Sequence, residues 1–426
     1  VREYCYDILT RRDRERFHQR AAEYFEGERG YLAAAYHHFE RRAYAQALDL
    51  LTTQSQAIIN SGGAAALVER LTRFQQHVVS LDQKVALQRA LGDGHQIRGE
   101  YPAAIDAYHA ALEDAPDGQR RAELQRLIGS TYLKIGEYGR ALEYAMKSLE
   151  ISTATGEQAG MASAHHNSGW SLYRIGRLDQ AREHFEASHR LAQALGDEIL
   201  VAEVGMGLGL VAWKEGRLDE ARARFEESRR TFRECNDRAK EAYALGNLGV
   251  LYSALNDPDR QLSYYRQALQ IQEEIGDVDG LRWSYNNLGY VHHSIGEYPH
   301  ARYYYEQLAR LAQDIGHKRM LSMAQTGLAD AYLAEGDAQA ALERATDAHR
   351  LAQEVGPGLE LGISSRALGD VWLRLGDDRR AQAFFEQCMP LLEAVKEEGE
   401  LARAHKGLKA IKDRLRTDPA AQQTGG

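Results

Sequence analysis

The chain has 426 residues, 44% of them hydrophobic and 27% charged, and a formal net charge of -9 from 53 basic and 62 acidic side chains. Its acidic balance and dispersed charge exclude the basic footprint of a nucleic-acid binder, and no apolar run approaches the ~20 residues that cross a bilayer. Cys5, Cys235 and Cys388 are far apart and in no CxxC arrangement, which fits a reducing compartment and an expected cytoplasmic location.

In chain order, Val1 to Leu9 reads as mid-protein sequence, so the chain is expected to be a fragment of a longer protein. Arg16 to Phe25 follows as a charged, aromatic stretch, and 1–26 is taken as one segment. Tyr36-His37-His38-Phe39-Glu40 with Ala43 to Leu48 reads as a degenerate helix pair. After the Gly62-Gly63 break comes an amphipathic helix, Ala65 to Val79. Leu91-Gly92 and Arg98 to Ala104 then give another turn, so 27–121 is assigned to degenerate helix pairs.

From 122 to 398 the chain is strictly periodic. Gly136, Gly176, Gly216, Gly296, Gly336 and Gly376 lie 40 residues apart or a multiple of it, and Asn256 fills the vacant slot. Seven residues before each stand Gly129, Gly169, Gly209, Gly249, Gly289, Ala329 and Gly369. Five residues after come Ala141, Ala181, Ala221, Gln261, Ala301, Ala341 and Ala381. Such periodicity means a stacked array. In the unit 242–281, Leu245, Leu248, Leu251 and Tyr252 fall on one helical stripe, Asn256-Asp257-Pro258 breaks the helix, and Tyr264 to Ile271 begins a second. The small residues predict close approach of paired helices, and Phe185, Phe225, Tyr265, Tyr305 and Phe385 predict aromatic fillers between units. A last helix, 399–416, caps the array, and a disordered tail is expected over 417–426.

The pattern Leu-Gly, Tyr, Gly, Ala, aromatic resembles the tetratricopeptide repeat, lengthened from 34 residues to 40, in the long-helix branch that includes kinesin light chains. The resemblance implies an all-α, right-handed superhelical solenoid of antiparallel helix pairs. Val1 to Leu9 with Arg16 to Phe25 resembles the end of the winged-helix segment of bacterial STAND-type signalling ATPases. That resemblance implies a sensor arm, whose partners would be a peptide or protein segment and its own N-terminal ATPase region.

There is no GxxxxGK[ST] loop, and Gly205 to Gly209 lies inside a helix, so no nucleotide or other cofactor is expected. The pairs His37-His38, His165-His166 and His292-His293 diverge by about 100° on a helix and do not make two-ligand faces. No metal site, catalytic residue or enzymatic activity is expected.

Ligand recognition is expected on the first helix of each pair. Asn167, Asn247 and Asn287 share one repeat position, with Asn286 adjacent. A carboxamide both donates and accepts, which suits a peptide backbone, and in the long-helix relatives Asn here commonly holds a bound peptide. Bridging between neighbouring helices is the other reading. Trp170, Tyr173, Trp213, Tyr243, Trp283, Tyr290 and His293 fall on the same predicted face, as ligand anchors or as packing between units. Arg126, Lys134, Arg174 and Lys214 are basic in units one to three, whereas Asp330 and Asp370 are acidic in six and seven, a gradient that favours an acidic ligand toward the N-terminal half. The expected function is a non-enzymatic protein- or peptide-binding arm regulating a STAND NTPase; a small-molecule sensor arm and a stand-alone scaffold are the alternatives.

Overall fold

The computed structural model describes residues 10–78 and 80–417. Val1 to Leu9, Cys5, Val79 and the expected tail beyond Thr417 lie outside the described residues. The N-terminal helices are α1 (Arg11–Gly27), α2 (Tyr31–Glu40), α3 (Tyr44–Thr53), α4 (Ser55–Asn60), α5 (Ala64–Phe74), α6 (Leu81–Ile97) and α7 (Tyr101–Asp114). The regular pairs follow: α8 (Gly118–Ile135) with α9 (Tyr138–Thr155), α10 (Gln158–Ile175) with α11 (Leu178–Leu195), α12 (Glu198–Lys214) with α13 (Leu218–Glu234), and α14 (Arg238–Ala254) with α15 (Pro258–Ile275). The last are α16 (Val278–Ser294) with α17 (Tyr298–Asp314), α18 (Lys318–Glu335) with α19 (Ala338–Val355), α20 (Leu359–Leu375) with α21 (Asp378–Ala394), and α22 (Glu398–Thr417). The described residues contain no strand, and none of their helices is long and apolar enough to cross a membrane. The fold is an all-α solenoid of helix pairs. It divides within α13 into two units, one ending at Arg224 and one beginning at Phe225.

Helix starts and stops follow from the repeat. Asp197, Asp237 and Asp277 accept the backbone N–H of Leu200, Lys240 and Gly280 at 3.0–3.1 Å, satisfying donors that the first helical turn cannot. Gly136, Gly176, Gly336 and Gly376 end their helices with φ of 86–92°. Asn256 takes the same left-handed turn at φ 55°; Asn tolerates this region because its short side chain bonds locally. The sequence register therefore marks one backbone geometry.

At Gly169, Gly249, Gly289 and Gly369 the small residue seven positions earlier meets an aromatic ring of the paired helix. A Cβ on Gly169 would lie 2.6 Å from the Phe185 ring, and one on Gly289 2.7 Å from Tyr305. The same rings touch the next pair, since Gly207 meets Phe185 at 2.6 Å and Gly327 meets Tyr305 at 2.5 Å. Each ring thus fills the seam between successive first helices, and Phe185 and Phe385 are fully buried. Gln261, which stands where the other repeats have Ala, is also buried.

In the C-terminal unit, a buried arginine joins three helices. Arg366 on α20 is 1% exposed. Its guanidinium donates to both Asp330 oxygens on α18 (2.8 and 3.0 Å), to Asp370 one turn on (2.8 Å) and to Glu400 on α22 (2.5 Å). Arg403, also on α22, reaches Asp330 at 3.2 Å and Asp370 at 3.5 Å. Burial favours protonation of Asp330, but the two guanidiniums outweigh it and hold the carboxyl well below its usual range. At Asp370 burial wins over Arg366, and the carboxyl is raised. The last helix is therefore fastened by ionic as well as apolar contacts.

Three stability tests follow, each read by urea unfolding with circular dichroism. Gly289→Ala should cost about 1–3 kcal/mol, because the Tyr305 ring has nowhere to retreat, whereas Asn256→Gly should be neutral or stabilising by up to about 1 kcal/mol. Arg366→Met should cost about 3–5 kcal/mol by stranding buried carboxylates. Asp330→Asn should be more destabilising at neutral pH than Asp370→Asn. A depressed folded-state pKa makes the ionised Asp330 a source of stability that is lost on acidification, while the raised Asp370 favours its protonated form. Equal effects at the two aspartates would contradict the unequal sharing of Arg366.

Candidate functional site

The first helices of successive pairs touch one another in both units: α8 meets α10 and α10 meets α12, while α14 meets α16, α16 meets α18, α18 meets α20 and α20 meets α22. Within each unit they form a layer, and its exposed face carries the residues singled out above.

In the N-terminal unit, Asn167 on α10 is half-buried, and its Nδ2 donates to the Arg126 carbonyl on α8 at 3.4 Å. It bridges neighbouring helices. Trp170 is half-buried, edge-on to Phe185 with centroids 5.8 Å apart, and its Nε1 donates to His166 Nε2 at 2.8 Å. Tyr173 stands edge-on to Trp170 at 5.9 Å. Both rings pack against the core of the second repeat, so here packing prevails over an open anchor. Trp213 is half-buried under the Lys214 ammonium, 4.9 Å from its centroid. Arg174 is exposed, donating to the Tyr138 hydroxyl at 2.8 Å, and Lys134 donates to Gln96 Oε1 at 3.3 Å. Lys134, Arg174 and Lys214 occupy the last turns of their helices, where cations complement the carbonyl ends.

In the C-terminal unit, Asn247 Nδ2 donates to the Tyr243 carbonyl of its own helix at 3.0 Å. Asn286 and Asn287 are half-buried on α16. The Asn287 Nδ2 is buried and has no hydrogen-bond partner among the described residues. Tyr243 and Tyr290 are 49% and 61% exposed, and by spacings of three and four they share the stripe of Asn247 and Asn287. Trp283, by contrast, is a spacer: its ring lies where a Gly246 Cβ would be, 2.7 Å away, and edge-on to Tyr265 at 5.2 Å. His293 Nε2 lies 3.4 Å from the Asp330 carbonyl of the next first helix.

One sequence expectation is corrected. Asp330 and Asp370 do not offer free negative charge to a ligand, since Arg366 and Arg403 hold both, and the expected charge gradient loses its acidic end. The Asn position also belongs to the seam between repeats as much as to an open surface: Gly207 and Gly327, at the same repeat position, press on Phe185 and Tyr305. Sequence reasoning missed Arg366, although an Arg four residues before Asp370, with Asp330 one repeat earlier, was a readable signal. It considered His292 only beside His293, a pair it set aside; the fold joins His292 to Glu297 and His300 across a turn.

The tetratricopeptide repeat model matches residues 84–154, 120–194, 160–234, 198–274, 262–314 and 320–394. No curated protein matches. Among solved structures, the chain is similar to the apo quorum sensor NprR from B. thuringiensis (TM-score 0.58, 13% identity, covering 80% of this chain and 98% of that one). It is similar to a STAND protein with a tetratricopeptide repeat sensor from Pyrococcus horikoshii (TM-score 0.55, 16% identity, 94% of this chain) and spans 56% of that protein's length. A third is the Rap conjugation gene regulator of plasmid pLS20 in complex with the Phr* peptide (TM-score 0.50, 16% identity, 72% and 95%). At these identities the likenesses speak for the fold. With more than half of its length matched by the repeat model, the chain belongs to the tetratricopeptide repeat family.

Proposed function

We propose that this chain is a non-enzymatic, cytoplasmic sensor arm that binds a peptide or protein segment along its first-helix layer and, within a longer protein, regulates a STAND nucleotidase. A protein-binding or sensor role is supported by the repeat family and by neighbours that include a STAND sensor and a regulator in complex with a peptide. The regulatory half rests on the STAND neighbour and on the resemblance of the first segment.

The observation that carries the peptide reading is the Asn287 Nδ2. A buried donor without an acceptor costs roughly 1–3 kcal/mol, and a peptide carbonyl laid along α14 and α16 would remove that cost once the Asn287 carboxamide turns outward to meet it. Tyr243 and Tyr290 flank it with exposed rings, the type of flat, low-entropy surface that anchors partners. Asn247 can exchange its bond to the Tyr243 carbonyl for one to the ligand, and Asn286 adds a second carboxamide. Regulation then requires the ligand to prefer one state of the longer protein.

Selection of a random peptide library on the tag-free chain tests the site. Selected peptides should bind with micromolar Kd, and an Asn287→Ala, Tyr290→Ala variant of unchanged helicity should lose at least about tenfold, or 1.4 kcal/mol. Equal affinity for the variant would remove the site from this face. ATP hydrolysis by the longer protein should change when a selected peptide is added, and a constant rate would refute the regulatory half.

A further inference from the structure

Several repeats hold a cation at the turn between their two helices, and one repeat has exchanged that cation for metal-ligating side chains. Arg140 lies over the Tyr132 ring at 5.5 Å, Arg260 over Tyr252 at 5.4 Å and Arg380 over Trp372 at 4.4 Å. In each case the ring closes the first helix and the arginine stands eight residues later, in the first turn of the second. An acidic residue, Glu137, Asp257 or Asp377, holds the N-cap position of the second helix between them; the Asp257 and Asp377 carboxylates cap it, and Arg260 and Arg380 reach them at 3.5 and 3.3 Å. At Arg260 and Arg380 the guanidinium sits between a π-face and a carboxylate, which is a cation site built from local sequence.

In the α16–α17 repeat the same three positions are His292, Glu297 and His300. His292 Nδ1 lies 2.7 Å and His300 Nδ1 3.5 Å from Glu297 Oε2, and one ligand atom from each residue lies within 4.8 Å of the others. We propose that this turn binds a divalent transition-metal ion of the Zn2+ type, which replaces the guanidinium of the other repeats. Metal–nitrogen and metal–oxygen bonds of about 2.0–2.2 Å place tetrahedral donors roughly 3.3 Å apart, a spacing that these side chains reach by small rotations. His292 is 1% exposed and fixed, stacked on Tyr304 at 5.4 Å. His300 is 66% and Glu297 49% exposed, so they are free to adjust and leave an open side for water as fourth ligand. The exposed Arg266 guanidinium, 3.5 Å from His292 Nε2, has to swing away, because metal on Nδ1 leaves Nε2 as the N–H donor.

The chain supplies its own control. His95 Nδ1 contacts Glu100 Oε2 at 2.6 Å in the same relation as His292 and Glu297, but Ala103 stands where His300 would be. That pair offers two donors, and the third donor is what distinguishes the α16–α17 turn.

The experiment is titration of the tag-free, chelator-stripped chain with Zn2+ by calorimetry, with Co2+ absorption to report the donor set. One Zn2+ per chain should bind with micromolar Kd. His300→Ala, a change at an exposed side chain, should weaken binding tenfold or more, while His95→Ala and His165→Ala leave it unchanged. Absence of saturable binding, or a His300→Ala variant that binds like the parent, overturns the proposal.

Discussion

The rest of the fold depends on an aromatic ring held between two glycines of successive first helices. Phe185 between Gly169 and Gly207, and Tyr305 between Gly289 and Gly327, are instances of one contact. Burying a ring here joins the two helices of a pair and also joins that pair to the next. Without a Cβ at the glycines the backbones come close enough for the ring to fill the seam. A repeat array has no single central core, so this local contact is what propagates the stack and sets which residues reach its surface.

Because the seam consumes one side of each first helix, the stripe left exposed is narrow. The same repeat position that accommodates Gly207 or Gly327 accommodates Asn167, Asn247 and Asn287, and these carboxamides sit at the border between packing and surface. Asn167 bridges two helices, Asn247 bonds within its own, and Asn287 keeps an unsatisfied donor. Three chemically identical residues in one register therefore have three different roles. The difference comes from their neighbours, with a carbonyl in reach of the first two and none in reach of the third.

Charge is distributed by the same logic. At the C-terminal end, Arg366 is buried by packing of α18, α20 and α22, so its charge must be met by Asp330, Asp370 and Glu400. Those carboxylates are structural for that reason. At the turns, the ring, carboxylate and arginine positions form a second recurring device, and substitution of two of its members by histidine changes its chemistry without disturbing the helix pair around it.

The sequence by itself determined the helix pairs, their turns and their stacking partners, because glycine, Asn256 and the aromatic fillers each meet a local backbone or volume requirement that recurs every 40 residues. It also located the face on which Tyr243, Tyr290 and the asparagines lie. It did not determine which of those side chains stay available. Trp283 was indistinguishable from an exposed anchor until Gly246 was placed beneath its ring. Asp330 and Asp370 read as free charge until Arg366 and Arg403 were placed beside them. Periodicity assigns residues to a helical stripe, but exposure and pairing depend on side chains one repeat away, about 40 positions distant in sequence. Only the tertiary structure brings those into contact.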